Sequence, residues 1–388
     1  MAGGRARKGH RMNKGMKFAG LSLVIPLVVT LAGCGSPNAA PPAATGDVAA
    51  NSSVYETLNA LPAKEQRAKA LELAKKEGGL SLYTESPEAN WQEYTAAFTK
   101  DTGIAVTTFR ASTVNLNQRV LQELSAKRLG ADVILENFGG MIGISGEDAF
   151  TKYEGAGVEA LGDKPYYDGG WSAIAGYTIV PVWNTDLIPA GQEPKSWEDL
   201  ADPRFDGKLS IAAEDGDLFG VISDFWAKNG KSQSEIDSLW KKIVNGAHAA
   251  TGHSAMLQLL GAGQTAVNAW NYDFIAESAI AKGAPVSYRS ADKIAHTDTF
   301  AYPLGLAMFK DAQHPASAWL FYDWILNEGQ AVLEKQSNLT ARQVSGQDEK
   351  AGLTIHPFPI EIGENASEWN DKWDALLRGV PVMDQPKK

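Results

Sequence analysis

Cysteine is almost absent: Cys34 is the one thiol in 388 residues. A lone cysteine closes no intrachain disulfide, makes no Cys-x-x-Cys redox pair and builds no multi-thiolate metal site. Positive charge is also scarce. Lys and Arg total 36 against 46 Asp and Glu, a formal charge of -10, and an acidic surface repels the phosphate backbone on which nucleic-acid binding depends. Nucleic acid is therefore set aside as a partner. Catalytic signatures are missing as well: there is no Gly-x-Ser-x-Gly elbow, no His-Glu-x-x-His and no phosphate loop. Gly155-Ala156-Gly157-Val158-Glu159-Ala160 fits a dinucleotide fingerprint loosely but follows no apolar strand, and reads as a turn. The apolar content is not low, at 44% with 11 tryptophans, so most of the chain folds, and its length suggests two globular units.

The first segment reads as an address. Residues 1–17 carry Arg5, Arg7, Lys8, Arg11, Lys14 and Lys17 and no acid, and an apolar run from Phe18 to Leu31 follows, the layout of a secretory signal peptide. The run is too short and interrupted to span a bilayer comfortably. It ends at Leu31-Ala32-Gly33-Cys34, which resembles the lipobox of bacterial lipoproteins, where cysteine is acylated after cleavage. A buried small hydrophobe is the bland alternative for Cys34, but the following Gly35 to Thr45 has nothing large to bury. Removing residues 1–33 takes away six positive charges and no negative ones, moving the chain from -10 to -16. An extracytoplasmic lipoprotein is expected, with 1–33 as signal peptide and 34–60 as a flexible, lipid-anchored tether.

Beyond the tether, Ala63 to Glu77 has helical spacing and stops at Gly78-Gly79. Strand-like runs at 80–83, 104–109 and 131–135 alternate with amphipathic stretches, one carrying Trp91, Tyr94 and Phe98, another Leu116, Val120 and Leu124. Such βαβ units predict parallel sheet covered by helices. The pattern pauses over the glycine-rich 139–170, and the long apolar Ile174 to Trp183 reads as a crossover between two lobes. A second alternation follows, with strands near 209–212 and 266–269, helices near 218–227, 236–244, 255–260 and 274–282, then a strand at 303–309 and an apolar helix around Phe321 and Trp324.

These residues carry a resemblance. Glu77-Gly-Gly-Leu-Ser-Leu-Tyr-Thr84, Asp101-Thr-Gly-Ile104, Arg110-Ala-Ser-Thr113, Gly130-Ala-Asp-Val133, Trp183-Asn-Thr-Asp186, Pro194-Lys-Ser-Trp-Glu-Asp-Leu200, Asp202-Pro-Arg-Phe-Asp-Gly-Lys208 and Lys282-Gly-Ala-Pro285 are similar, in order and spacing, to extracellular solute-binding proteins of ABC transporters. The likeness covers roughly 75–345 and fits the branch of ferric-iron, thiamine, phosphonate and polyamine binders. It implies an α/β, two-lobed periplasmic-binding-protein-like fold of type II, parallel-rich sheets flanked by helices and joined by hinges. The expected division is 61–176 with 286–340 for lobe 1, and 177–285 with 341–388 for lobe 2 and a hinge-covering tail. It also implies a small-molecule solute, an ABC permease as partner, a monomer, no catalysis and no cofactor.

Open parallel sheets bind ligands beyond the carboxyl ends of their strands. The loops there carry acids and rings, and the expected contacts are Tyr83, Thr84, Glu85, Ser112, Asn137, Asp215, Asp217, Trp270, Tyr272, Asp273 and Phe300. Oxyanion-binding relatives place hydroxyls and glycines at helix N-termini; Asp215 and Asp217 would repel phosphate, although Ser112, Thr113 and Ser254 leave an anion open. Acids beside rings suit an organic cation such as an amine, polyamine or thiamine. Helix capping is the plain alternative for Asp215, Asp217 and Asp273, as core packing is for Trp270. Ferric iron is the alternative cargo: iron-binding relatives commonly show adjacent tyrosines where this chain reads Trp270-Asn-Tyr-Asp273, with one tyrosine, while the pair Tyr166-Tyr167 lies elsewhere and His248, His253 and His296 lack helix-borne metal spacing. A secreted hydrolase on the same fold and a surface scaffold are the readings from other classes; the first would turn its ligand over, and the second would need no cleft rich in both acids and rings.

Overall fold

A computed structural model of the chain describes residues 48–163, 167, 169–290, 298–336, 338–346, 348–349 and 353–380. The signal peptide, Cys34, Tyr166 and His296 lie outside the described residues. Helix α1 (Val48–Asn59) comes first and corrects one expectation, since the span assigned to a flexible tether, 34–60, is helical over its last part. Tyr55 and Leu58, three apart on one helical face, are buried, and the Tyr55 hydroxyl donates to the Phe309 carbonyl at 3.1 Å. Its polar neighbours Asn51, Ser52 and Ser53 hide that face in the sequence.

In the first lobe, α2 (Ala63–Glu77) ends where Gly78 turns left-handed at φ 90°, its N–H returning to the Ala74 carbonyl. β1 (Leu80–Thr84) is buried along its whole length, as a strand covered on both faces must be. It pairs in parallel with β2 (Val106–Arg110) and with β3 (Val133–Asn137). Helices α3 (Glu88–Thr102) and α4 (Thr113–Ser125) are the crossovers. The glycine-rich pause is structured: α5 (Phe138–Ser145), the short strand β4 (Phe150–Thr151) and a 3-10 turn over Ala156–Leu161.

β5 (Ser172–Asn184) is the crossover read in the sequence, longer by a residue or two at each end. The second lobe follows with β6 (Leu209–Ala212), α6 (Gly216–Lys228), α7 (Gln233–Asn245), β7 (Ala247–Ala250), α8 (His253–Gly261), β8 (Val267–Tyr272) and α9 (Asp273–Ala281). β6 pairs in parallel with both β7 and β8. β9 (Val286–Ser287) edges β5, and β10 (Asp298–Phe309) returns to the first lobe before the fully buried α10 (Pro315–Leu326). β10 begins five residues before the expected strand at 303–309, so Phe300, expected as a cleft contact, is a strand residue.

Among the described residues one continuous sheet runs β2-β1-β3-β10-β5-β8-β6-β7. Its middle is antiparallel. β5 pairs with β10 (Ala175 with Leu304, Tyr177 with Tyr302, Ile179 with Phe300) and then with β8 (Ile179 with Tyr272, Trp183 with Val267). The same two long strands therefore belong to both lobes, and the parallel strands of each lobe end beside them.

Candidate functional site

Strand ends gather the acids. Glu85 follows β1 directly, Glu136 is the next-to-last residue of β3, Asp215 and Asp217 flank the first residue of α6, and Asp273 begins α9. Each group lies at or just beyond the carboxyl end of a parallel strand, where the first turn of a helix has free N–H groups. A cavity of about 990 Å³ opens nearby, walled by Pro87 and Asn90 from the first lobe and by Ser254, Leu257 and Phe274 from the second; the acids themselves lie outside its lining.

The two lobes hold their acids differently. In the second lobe each has donors. Asp215 accepts the Trp270 indole N–H at 2.5 Å and faces His253 Nε2 at 3.3 Å. Asp217 accepts the Tyr302 hydroxyl at 2.9 Å and the Leu218 N–H at 2.8 Å. Asp273 accepts the N–H groups of Thr178 and Phe274 at 3.2 and 2.9 Å, which ties α9 to β5. In the first lobe, Glu136 Oε1 accepts the Thr113 hydroxyl at 2.9 Å and the Asn137 N–H at 3.2 Å, while Oε2 is buried with no partner. Among the described residues Glu136 makes no salt bridge, and Arg110 is the last of the influences on it.

Electrostatics follow. Burial, opposed only by Arg110, pushes the Glu85 carboxyl up to about 7. Burial and then the neighbouring Glu85 push Glu136 up to about 8. Asp217 rises to about 6, through burial and then Asp215. Three phenols are held well above their ordinary range, first by burial and then by carboxylates: Tyr177 beside Glu85, Tyr272 and Tyr302 beside Asp215 and Asp217. For His253, burial pulls downward, but Asp215, Glu214 and Asp217 together raise it. Acids pushed upward by burial and by one another are relieved of that penalty when a cation enters among them, so the site favours positive charge.

Rings cluster beside the acids. Tyr272 lies 5.9 Å from Tyr177, 5.6 Å from Tyr302 and 4.4 Å from His253, and Phe274 packs on Tyr177 at 4.6 Å. Among the described residues, no three His, Cys, Asp or Glu side chains stand close enough to hold a metal ion by themselves.

Several expected contacts are elsewhere. Trp270 is fully buried against Trp240 and Trp373. Burying a tryptophan is worth about 4–6 kcal/mol by area, more than the roughly 0.5–2 kcal/mol of a cation–π contact, so packing claims the ring and its N–H orients Asp215. Phe300 is buried against Trp197 and Phe225, because it is a strand residue rather than a loop residue. Tyr83 is buried too, its hydroxyl held by Glu123 and Arg119 on the α4 side. Thr84 is buried and shapes the turn through the Ser86 N–H. Asn137 caps α5 through Gly140 N and donates to the Thr113 hydroxyl; Ser112 is exposed at the start of α4. Glu85, Asp217, Tyr272 and Asp273 do come together. Tyr177, Tyr302 and Thr113 are additional, and Glu136 replaces its neighbour Asn137 as the charged group. For Glu136 the signal was an acid ending the apolar run Val133-Ile-Leu135.

Comparisons with known proteins agree with this architecture. The profile of a family described as bacterial extracellular solute-binding protein matches residues 143–354. The Fe(3+)-binding periplasmic protein of Serratia marcescens is 27% identical over 269 residues, 66% of this chain and 76% of that protein. Among solved structures, iron-bound HitA from Pseudomonas aeruginosa superposes with a TM-score of 0.61 at 19% identity, over 77% of this chain and 99% of that one. AfuA from Actinobacillus pleuropneumoniae, with fructose-6-phosphate bound, gives 0.60 at 17% over 78% and 99%. At such identities the two structures speak for the fold alone.

Proposed function

The chain belongs to the bacterial extracellular solute-binding proteins, and from that premise we propose that it captures a small cation between its lobes, ferric iron being the leading candidate. As a solute-binding protein of an ABC importer it is an extracytoplasmic receptor rather than an enzyme, and it passes its solute to a membrane permease. The observation that carries the cation reading is the pair Glu85, half-buried, and Glu136, fully buried with one carboxylate oxygen lacking any partner among the described residues. Iron is favoured by the 27% identical relative named for Fe(3+) and by the chemistry of the donors, since carboxylates and phenols are the hard oxygen ligands that a trivalent ion selects. With no preformed set of three acids or histidines, closure would have to draw Glu85, Glu136, Asp217 and the Tyr272 phenol around the ion.

An organic ammonium is the second reading, favoured by the rings of Tyr177, Tyr272 and Phe274 beside the acids. In either case the solute bridges the lobes only when they close, so binding shifts the population toward the closed form. We further propose the lobe boundaries given above, a monomer, and anchoring through a lipid on Cys34.

Calorimetric titration of the purified chain with ferric nitrilotriacetate, spermidine and thiamine separates these readings. Iron held by Tyr272 should give a phenolate-to-iron absorption band that Tyr272→Phe abolishes. Saturable spermidine or thiamine binding without such a band would move the assignment to the amine, and binding of none of the three would end the cation reading.

A further inference from the structure

Beyond binding a cation, the cleft is built to refuse anions. We propose that Glu136 sets the sign of charge this receptor accepts, because its carboxylate fills an oxyanion cradle formed by the N-termini of α4 and α5. The inference deepens the cation reading above and rests on the same site.

Helix N-termini offer N–H groups without intrahelical partners, and their dipoles attract negative charge. α4 begins at Thr113 behind Ser112, whose side chain makes no capping bond; α5 begins at Phe138 behind Asn137. An oxyanion arriving there would find a hydroxyl and a backbone N–H side by side. Glu136 Oε1 already occupies that position, accepting both the Thr113 hydroxyl and the Asn137 N–H, while the Asn137 amide also donates to the Thr113 oxygen at 2.9 Å.

The fit needs a bare backbone at residue 140. A Cβ on Gly140 would stand 2.0 Å from Glu136 Cγ and 2.9 Å from Oε1, so the carboxylate lies directly on the first turn of α5. Oε2, fully buried and without a partner, is the part left over. One oxygen thus stands in for a bound anion, and the other, with Glu85 nearby, awaits a cation. A second anion entering there would find the hydroxyl and the N–H already taken by Oε1, and would face the ionised fraction of two acids in a medium that screens it poorly.

The full chain, Glu136→Ala, Glu136→Gln and Glu136→Ala/Thr113→Ala can be titrated with sodium sulfate and inorganic phosphate, and in parallel with ferric nitrilotriacetate and spermidine. The wild type should bind neither anion. Glu136→Ala should gain at least about tenfold in sulfate or phosphate affinity, Glu136→Gln should gain less, and the double variant should lose the gain with the hydroxyl. Absence of any gain in both single variants, each with a cooperative melting transition, would overturn the assignment. So would a gain that survives removal of the Thr113 hydroxyl, or sulfate binding by the wild type equal to that of the variant. A wild type that binds neither cation while Glu136→Ala gains an anion would sink the cation reading and leave this assignment standing.

Discussion

The two lobes meet the same problem, acids desolvated at strand ends, with opposite solutions. In the second lobe Asp215, Asp217 and Asp273 are held by an indole, a histidine, a phenol and backbone N–H groups. In the first, Glu136 keeps a bare oxygen and Glu85 stands beside it. On the proposed function, the difference separates acids already supplied with donors, Asp215 and Asp273 above all, from acids left for the cargo, with Asp217 between the two. Carboxylates supplied with donors rigidify their surroundings, whereas those left short are costly unless a partner arrives.

The hardest test of that contrast is affinity. Replacing both Glu85 and Glu136 by Gln removes two charge-assisted contacts, and cation affinity should fall by about 100-fold or more. Asp273→Asn, which can still accept from Thr178 and Phe274, should cost no more than about fivefold. Equal losses in calorimetry would erase the distinction. Stability should run the other way. Asp215→Ala strands the buried Trp270 N–H and should lower unfolding free energy by about 2–4 kcal/mol, read by denaturant titration, while Glu85→Gln should leave it unchanged or higher.

A smaller effect is expected with pH. The carboxyls of Glu85 and Glu136 ionise near 7 and 8 in the folded chain, against an ordinary 4.5. Between those limits the folded state binds more protons than the unfolded state, so raising the pH costs stability. Without cargo the chain should melt at a higher temperature at pH 5.5 than at pH 8.5. His253 and His314, both raised, slope the same way, so the informative quantity is the part of the slope that vanishes in the Glu85→Gln/Glu136→Gln variant. An unchanged slope would mean that the pair titrates normally. Smallest of all should be Tyr83→Phe, with cation affinity within about twofold of wild type and stability lower by about 1 kcal/mol, since its hydroxyl serves only Glu123 and Arg119.

Much of the architecture was legible because it rests on apolar runs. β1, β3, β6 and the crossover β5 declare themselves as uninterrupted buried strands, and α6 to α9 fall within a few residues of their apolar periods. What escaped lacked such contrast: α1, whose face is masked by polar neighbours, and β7, Ala247-His-Ala-Ala250, built of small residues. The site was legible as loops but not as directions. A strand alternates its side chains between faces, but Glu85 stands past the end of β1, where alternation no longer directs it, so its destination differs from that of Tyr83 two residues before. Glu136 illustrates the limit further, since only the close approach allowed by Gly140 turns its carboxylate back over α5.

β5 and β10 carry one consequence more. Tyr177 and Tyr302 face each other across this ribbon, and both phenols feel the carboxylates of the site, so a cargo held as proposed would sit beside the strands the two lobes share and not out along their arms. Lever geometry then magnifies size: a fraction of an ångström in the radius of what is gripped becomes a much larger displacement at the jaws, where a permease would take its reading. On that reading, the receptor would gauge its load by the angle at which it comes to rest.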